Sequence, residues 1–252
     1  MNTRRNMLVF FGTAAFLGGL GGAWALYRTY FADGSFDWER LSHMMPAGGR
    51  ALILSLVGSA STGMGPLGMD GEIASGDRIR VEPGGVLTLT LPDRTLLEIR
   101  GEAEVDLHVD EFSGGMYNLW LGSLLSVVPT GNQYIATGPT ASVGIKGTVF
   151  FRQVFDARTR TGRTMEGSMD IPEGINDYFC TCHGEVGYLP ATGEPRQVVR
   201  RDRAQHHNAY FLRRDGTLHF TKAPMLNHFD DEIDRLIDLQ EGEKHDKSWL
   251  EL

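Results

Sequence analysis

The feature that most constrains this chain is a repeated rhythm of short strand patterns separated by glycine-containing turns. The segment 86–91, Val-Leu-Thr-Leu-Thr-Leu, alternates apolar and polar residues with a period of two, as a strand with one buried face requires. Similar segments recur about every ten residues between positions 51 and 155, with turn residues between them. The chain has 32 glycines and 10 prolines among 252 residues. This rhythm predicts an all-β fold.

Three segments of the chain form a recognisable set. Gly76-Asp77 opens a strand, Leu119 to Val127 is an apolar strand with a glycine inside it, and Thr137 to Phe150 is a strand, a corner and a second strand. Together they resemble the FecR domain of bacterial periplasmic regulators, over residues 76–188. The resemblance implies a solenoid-like coil of short strands. Only six residues precede the first apolar stretch, so the cytoplasmic anti-sigma segment of those regulators is not expected here.

A tight corner is expected at Lys146-Gly147-Thr148, inside the third of these segments. The corner would bring the backbone close to the adjacent coil. A side chain at Gly147 would then meet that coil, and a positive φ would add strain. We therefore predict that Gly147 is required for conformational reasons rather than for phosphate binding, because no helix start follows it.

The N-terminal segment, residues 1–31, is predicted to direct export. Arg4 and Arg5 precede an uncharged stretch from Met7 to Ala25, in an order that resembles a twin-arginine signal. The alternative is an uncleaved membrane anchor, because about 20 apolar residues can span a bilayer. Either way, the rest of the chain would lie in the periplasm or at the outer face of the cytoplasmic membrane of a bacterium.

The remaining chain divides into three predicted parts. Residues 32–50 form a linker, 51–190 the FecR-like β domain, and 191–252 a C-terminal β hairpin and helix extension. The helix is expected to begin at Pro224 and to end at Glu241-Gly242. Its apolar face is predicted from intervals of three and four residues. The residues of this amphipathic face are Leu226, Phe229, Ile233, Leu236 and Ile237.

Two cysteines supply the clearest chemical signal. Cys180 and Cys182 lie two apart in a predicted strand, so both thiols project from one face. His183 points to the other face unless the Gly184 turn swings it round. Two thiols on one face can bind one metal ion at two points.

Histidines further along the chain could complete such a site. His206 and His207 precede a strand, and His228 is predicted to lie in the first turn of the C-terminal helix. Asp231 and Glu232 follow it by three and four residues, on the same helix face. The predicted ligands are thus the two cysteines, His207 or His206, and His228, with Glu232 or Asp231 orienting or completing the set.

This set of thiolates and imidazoles suits one transition-metal ion, which is zinc, iron or copper. Other interpretations stay open at this point. The cysteines could be buried apolar fillers, or they could form a strained and easily reduced disulfide. A thiol-disulfide enzyme is a further alternative, although no helix N-terminus is predicted to activate the thiols.

The sequence therefore predicts an exported, FecR-like metal-binding protein with a structural, sensing or redox role. The alternative is a non-enzymatic interaction module or an accessory subunit of an envelope membrane complex. No nucleophile motif is present, so an enzyme is not expected. The net charge is −8 and the chain has no stripe of basic residues, so nucleic acid is not expected to be a partner. An envelope or membrane protein is the expected partner, with membrane contact through the N-terminal helix if it is uncleaved.

Overall fold

The computed structural model describes residues 49–109, 114–156, 160–190, 200–215 and 217–243. The predicted export signal and most of the predicted linker lie outside these residues. The described elements, in chain order, are β1 (Arg50–Val57), β2 (Ala60–Thr62), β3 (Gly65–Pro66), β4 (Glu72–Ala74), β5 (Arg78–Val81), β6 (Val86–Thr90), β7 (Leu96–Val109), β8 (Gly114–Val127), β9 (Gln133–Thr137), β10 (Ala141–Val154), β11 (Thr161–Thr164), β12 (Gly167–Asp170), β13 (Asp177–Pro190), β14 (Arg200–Ala204), β15 (Asn208–Arg214), β16 (Leu218–Lys222) and the helix α1 (Asp230–Glu243).

Fourteen of these strands form one sheet. Its main path runs β16-β15-β13-β10-β9-β8-β7-β5-β2-β3. Off this path, β14 pairs with β13 and β6 pairs with β7, while β1 pairs with β6 and β4 pairs with β1. The strands β11 and β12 form a separate hairpin. Within the described residues every pairing is antiparallel except that of β8 with β9, which is parallel. The predicted all-β fold is confirmed.

The four longest strands exceed the length predicted from sequence. Each of β7, β8, β10 and β13 has 14 residues. The sequence pattern predicts two short strands, 96–99 and 104–109, where the structure has β7, and two strands separated at Gly147 where it has β10. At both places the structure has a shift of register between paired strands, so the strand continues instead of turning back.

The corner at Gly147 has the conformation expected of it. Its φ is +52°, and an added Cβ would lie 2.9 Å from the Cα of Thr130. Gly184, on the neighbouring strand β13, has a φ of +103° and faces the same corner. A Cβ on Gly184 would lie 2.8 Å from Oγ1 of Thr148. Two glycines thus allow β10 and β13 to approach closely beside the cysteines.

The sheet buries apolar side chains on both faces. Because successive strand residues point to opposite faces, Phe150 and Phe179 pack in one core, while Phe151 and Cys180 pack in the other. The second core is closed by the chain from Ala223 onward and by α1, through residues such as Leu226, Ile233 and Leu236. This second core contains the candidate site.

The C-terminal helix begins later than predicted. It starts at Asp230 rather than Pro224, because Asn227 has a φ of +58° and cannot belong to an α-helix. Leu226, His228 and Phe229 therefore lie in an irregular segment before the helix. Asp230 and Asp231 do occupy its first turn, where the helix dipole favours carboxylates. In the described part of the chain, no helix has the length and apolar character needed to cross a membrane.

Candidate metal centre

Strand β13 carries both cysteines on the face that packs under the C-terminal segment. Cys180 pairs with Phe151 of β10 on one side and with Ala209 of β15 on the other. Both thiols are buried, and their sulfur atoms are 3.9 Å apart. Both are free thiols. As the alternation of strand side chains predicts, His183 is exposed and lies outside the thiol cluster, with Nδ1 3.5 Å from the carbonyl oxygen of Gln205.

His207 approaches the thiols from the start of β15. Its backbone N–H donates to the carbonyl oxygen of Cys182 at 3.1 Å, which ties it to β13. Its Nδ1 lies 3.5 Å from the sulfur of Cys180, and its Nε2 lies 2.7 Å from Oδ1 of Asp230. In the neutral ring Nε2–H donates to the carboxylate, so the lone pair of Nδ1 faces the sulfur. A carboxylate that orients a ligating histidine in this way is common in metal sites.

His228 approaches from the irregular segment before α1. Its ring stacks on Phe151 at a centroid distance of 4.3 Å, and the side chain is fully buried. Nδ1–H donates to the carbonyl oxygen of Leu226 at 2.6 Å. This bond fixes the tautomer and leaves a lone pair on Nε2, which is buried without a hydrogen-bond partner. A buried acceptor without a partner is costly, and an ion would satisfy it.

The structure brings these four residues together. The candidate ligand atoms of Cys180, Cys182, His207 and His228 all lie within 4.8 Å of one another. For bonds to zinc near 2.3 Å from sulfur and 2.1 Å from nitrogen, a tetrahedron places neighbouring ligand atoms about 3.4 to 3.8 Å apart. The sulfur–sulfur distance of 3.9 Å and the sulfur–nitrogen distance of 3.5 Å are close to these values. Small side-chain movements would complete the tetrahedron.

The pKa values of the two thiols are shifted in opposite directions. Burial raises the pKa of Cys180, but the neighbouring Cys182 and, when their rings are protonated, His207 and His228 stabilise its thiolate more strongly, so its pKa lies well below the usual value. Burial and the adjacent Cys180 thiolate raise the pKa of Cys182 well above the usual value. A cation bound between the two sulfurs would favour the thiolate at both.

Asp230, rather than the two predicted carboxylates, orients a ligand. The side chain of Glu232 instead accepts from the backbone N–H of Phe229 at 2.9 Å and pairs with Arg100 at 3.1 Å. Asp231 is exposed and lies outside the cluster. Residues three and four positions after His228 would share its face only within a helix. That prediction fails because His228 precedes the helix. Asp230 could have been found only by knowing where the helix begins.

His206 stands beside the cluster but outside it. Its ring is exposed, with its centroid 5.2 Å from that of His207. His206, His207 and Asp230 form a second group whose candidate ligand atoms also lie within 4.8 Å of one another. His207 therefore belongs to both groups: the buried one with the two cysteines and His228, and the exposed one with His206 and Asp230.

Comparisons with known proteins give limited information. The sequence matches no protein-family model and no curated protein. Two crystal structures of a proposed anti-sigma factor from Parabacteroides distasonis are similar to this chain. In each case the identity is 14%, the TM-score is 0.42, and the match covers 58% of this chain and 60% of that chain. This chain thus spans less than two thirds of that relative, and the FecR resemblance of residues 76–188 stays a prediction.

Proposed function

We propose that this protein binds one transition-metal ion through Cys180, Cys182, His207 and His228. The observation that supports this most directly is the state of the two imidazoles. Each has one nitrogen engaged by an oxygen acceptor, while the other faces the thiols or is buried without a partner. Both rings are therefore oriented as metal ligands are, although their sequence positions are 21 residues apart.

Zinc is the ion that best fits these ligands. Two thiolates and two imidazoles form a familiar closed tetrahedral zinc set, whereas copper(I) and iron accept the same donors less selectively. All four positions would be occupied by protein, which leaves no open position for a substrate. The role that follows is structural. The ion would hold the segment before α1 against strand β13 and so close the second core.

Metal analysis of the purified full chain tests this proposal. We expect about one zinc, iron or copper ion per chain, and a Co²⁺-substituted protein with the absorption of a tetrahedral thiolate complex. Cys182→Ser and His228→Ala should each lower the metal content strongly. His183→Ala is the matched control, because His183 adjoins Cys182 in sequence but is exposed and lies outside the thiol cluster. A protein without metal and with both thiols free would favour a non-enzymatic interaction module instead.

We further propose that the protein works in the bacterial envelope, where it docks on another envelope protein. The predicted export segment and the FecR-like motifs support this location. A metal loaded before export would suit the twin-arginine route, which carries folded proteins. Fractionation of cells that produce the full chain, followed by crosslinking, would identify the compartment and the partner. Recovery of the folded protein in the cytoplasm alone would contradict the proposed location.

A further inference from the structure

The buried ligand set has one side open to solvent. The side chains of Cys180, Cys182 and His228 are between 0% and 4% exposed. The side chain of His207 is 15% exposed, which makes it the one ligand of the four that reaches the surface to this extent. An ion that enters or leaves the buried site has to pass the ring of His207 unless the core opens.

The exposed group lies at this point of access. His206 is exposed, and Asp230 has 58% of its side chain accessible. Both histidines also line a surface pocket formed by residues 203–208. Two imidazoles and one carboxylate can bind a divalent cation, and with three protein ligands the remaining positions stay with water. Such a site would exchange its ion readily.

The ring of His207 belongs to both groups through different atoms. Nδ1 faces inward, 3.5 Å from the sulfur of Cys180, while Nε2 faces outward, 2.7 Å from Asp230. The inward group is rich in sulfur and buried, and the outward group has nitrogen and oxygen ligands and is exposed. A borderline-soft ion such as Zn²⁺ would therefore be held more firmly on the inner side.

We propose that His206, His207 and Asp230 form a surface metal-binding set through which the ion reaches and leaves the buried site. This inference rests on the proposed metal site. On entry, the bonds from the ion to His206, to Nε2 of His207, to Asp230 and to water break, and bonds to the two sulfurs, to Nδ1 of His207 and to Nε2 of His228 form. Protons on the thiols pass to solvent, and the proton on Nδ1 of His207 is exchanged through solvent for one on Nε2. Asp230 then resumes its hydrogen bond from Nε2–H of His207, which orients the ring for the inner ligand set.

This arrangement makes a specific kinetic prediction. A residue that binds the ion only during its passage lowers the free-energy barriers to uptake and to release equally. It does not change the affinity of the buried site. His206→Ala should therefore slow uptake and release by the same factor, about tenfold, which is the size expected from losing one contact in the transition state. The stoichiometry and the Co²⁺ spectrum should not change. Uptake is measured with Co²⁺ by stopped-flow absorption, and release of Zn²⁺ with a chromophoric chelator in excess.

His219→Ala is the matched control. His219 is an exposed histidine that also contacts an aspartate, Asp215, at 2.6 Å, but it belongs to neither group. Its removal should leave both rates unchanged. Unchanged rates in His206→Ala with full metal content would overturn this inference and leave the proposed function intact. Faster release with reduced metal content would also overturn it, because His206 would then be a ligand of the stable site. A wild-type protein that binds no Co²⁺ or Zn²⁺ would remove the proposed function itself.

Discussion

Among the residues that the structure describes, Arg152 has the largest side chain that is buried without any exposed surface. It lies on β10, and its guanidinium donates to the carboxylate of Asp177 at 3.2 and 2.6 Å and to the carbonyl oxygens of Ala136 and Ala141 at 2.9 and 2.8 Å. A Cβ on Gly138 would lie 2.5 Å from this guanidinium. The turn between β9 and β10 is therefore built around a buried charge, and this explains why a glycine stands at position 138.

We expect Arg152→Met to lower the free energy of unfolding by about 3 to 5 kcal/mol, because it leaves the carboxylate of Asp177 buried without its counter-ion. Burial already raises the pKa of Asp177 despite the ion pair, so the unpaired carboxyl should take up a proton. Urea denaturation of both proteins measures the change. Arg80→Met, at a side chain that is 63% exposed, should stay within about 0.5 kcal/mol of the wild type. A similar effect of both substitutions would contradict this account.

Gly147→Val tests the corner between the two halves of β10. The substitution combines a positive φ with a Cβ 2.9 Å from the backbone of Thr130, so we expect a loss of about 2 to 4 kcal/mol. Gly63→Val is the control, because a Cβ there meets nothing within 4 Å and the φ of Gly63 is not positive. If the two variants melted at the same temperature, the close approach at the corner would be wrong.

The contribution of His207 to stability should change with pH in opposite directions in the metal-free and the metal-loaded protein. In the metal-free protein, contacts with Cys180 and then Asp230 raise the pKa of His207 above 6.5, although burial opposes this. Protonated His207 then stabilises the fold below about pH 6.5, and this contribution is lost as the pH rises through the raised pKa. In the metal-loaded protein protons compete with the ion, so acidification should release it.

His207→Gln isolates this effect. Relative to the wild type, the metal-free variant should lose most stability at about pH 5 to 6 and less at pH 8. Asp230 has its pKa lowered, chiefly by His207, so its own contribution is present above about pH 3.8 and is lost as the pH falls through the lowered value. Urea denaturation at several pH values gives the stability, and metal content gives the loaded state. A difference between the metal-free proteins that does not vary with pH would contradict the assigned contacts.

At the scale of elements, α1 is attached to the sheet by polar as well as apolar contacts. Arg235 of the helix pairs with the buried carboxylate of Glu98, and Gln240 donates to the carbonyl oxygens of Arg94 and Val127 at 2.9 and 3.2 Å. The segment before the helix is attached separately, by the hydroxyl of Tyr178, which bonds to Pro224 and Leu226. An ion on His228 would add a further attachment.

Removal of the ion should loosen this C-terminal unit while leaving the sheet intact. We expect amide hydrogen exchange to accelerate together in residues 223–229 and in α1 when the metal is chelated or when Cys182 is replaced by serine. The strands β7 and β8 should keep their protection, because their backbone hydrogen bonds are made with other strands of the sheet. His183→Ala should behave as the wild type. Unchanged protection of α1 in the chelated protein would show that the ion does not hold it.

Features that depend on residues close together in the sequence could be predicted, whereas features that depend on distant segments could not. Residues two apart in a strand point to the same face whatever the rest of the fold, so the shared face of Cys180 and Cys182 was predictable. Where a strand continues through a bulge, or where a left-handed residue such as Asn227 delays a helix, depends on contacts with distant segments. Asp230 was missed for this reason, and so was the merging of short strands into β7 and β10.

At the scale of the whole molecule, the N-terminal segment is predicted to direct export. The predicted export segment, residues 1–31, lies outside the described residues. Replacement of Arg4 and Arg5 by lysine should trap the full chain in the cytoplasm if the segment is a twin-arginine signal. Cell fractionation measures this, and replacement of the distant pair Arg213 and Arg214 is the control. Undiminished export of the lysine variant would contradict the assignment of this segment as a twin-arginine signal.

The spacing of the ligands has a consequence for the unfolded chain. An ion that joins Cys182 to His228 links residues 46 positions apart and closes the chain into a loop. In the chain-entropy picture, a permanent link of this length would stabilise the fold by about 4 kcal/mol, which is a large share of the stability of an ordinary domain. Unlike a disulfide, this link would open with falling pH or a stronger chelator, so the protein would behave as a domain with a removable cross-link.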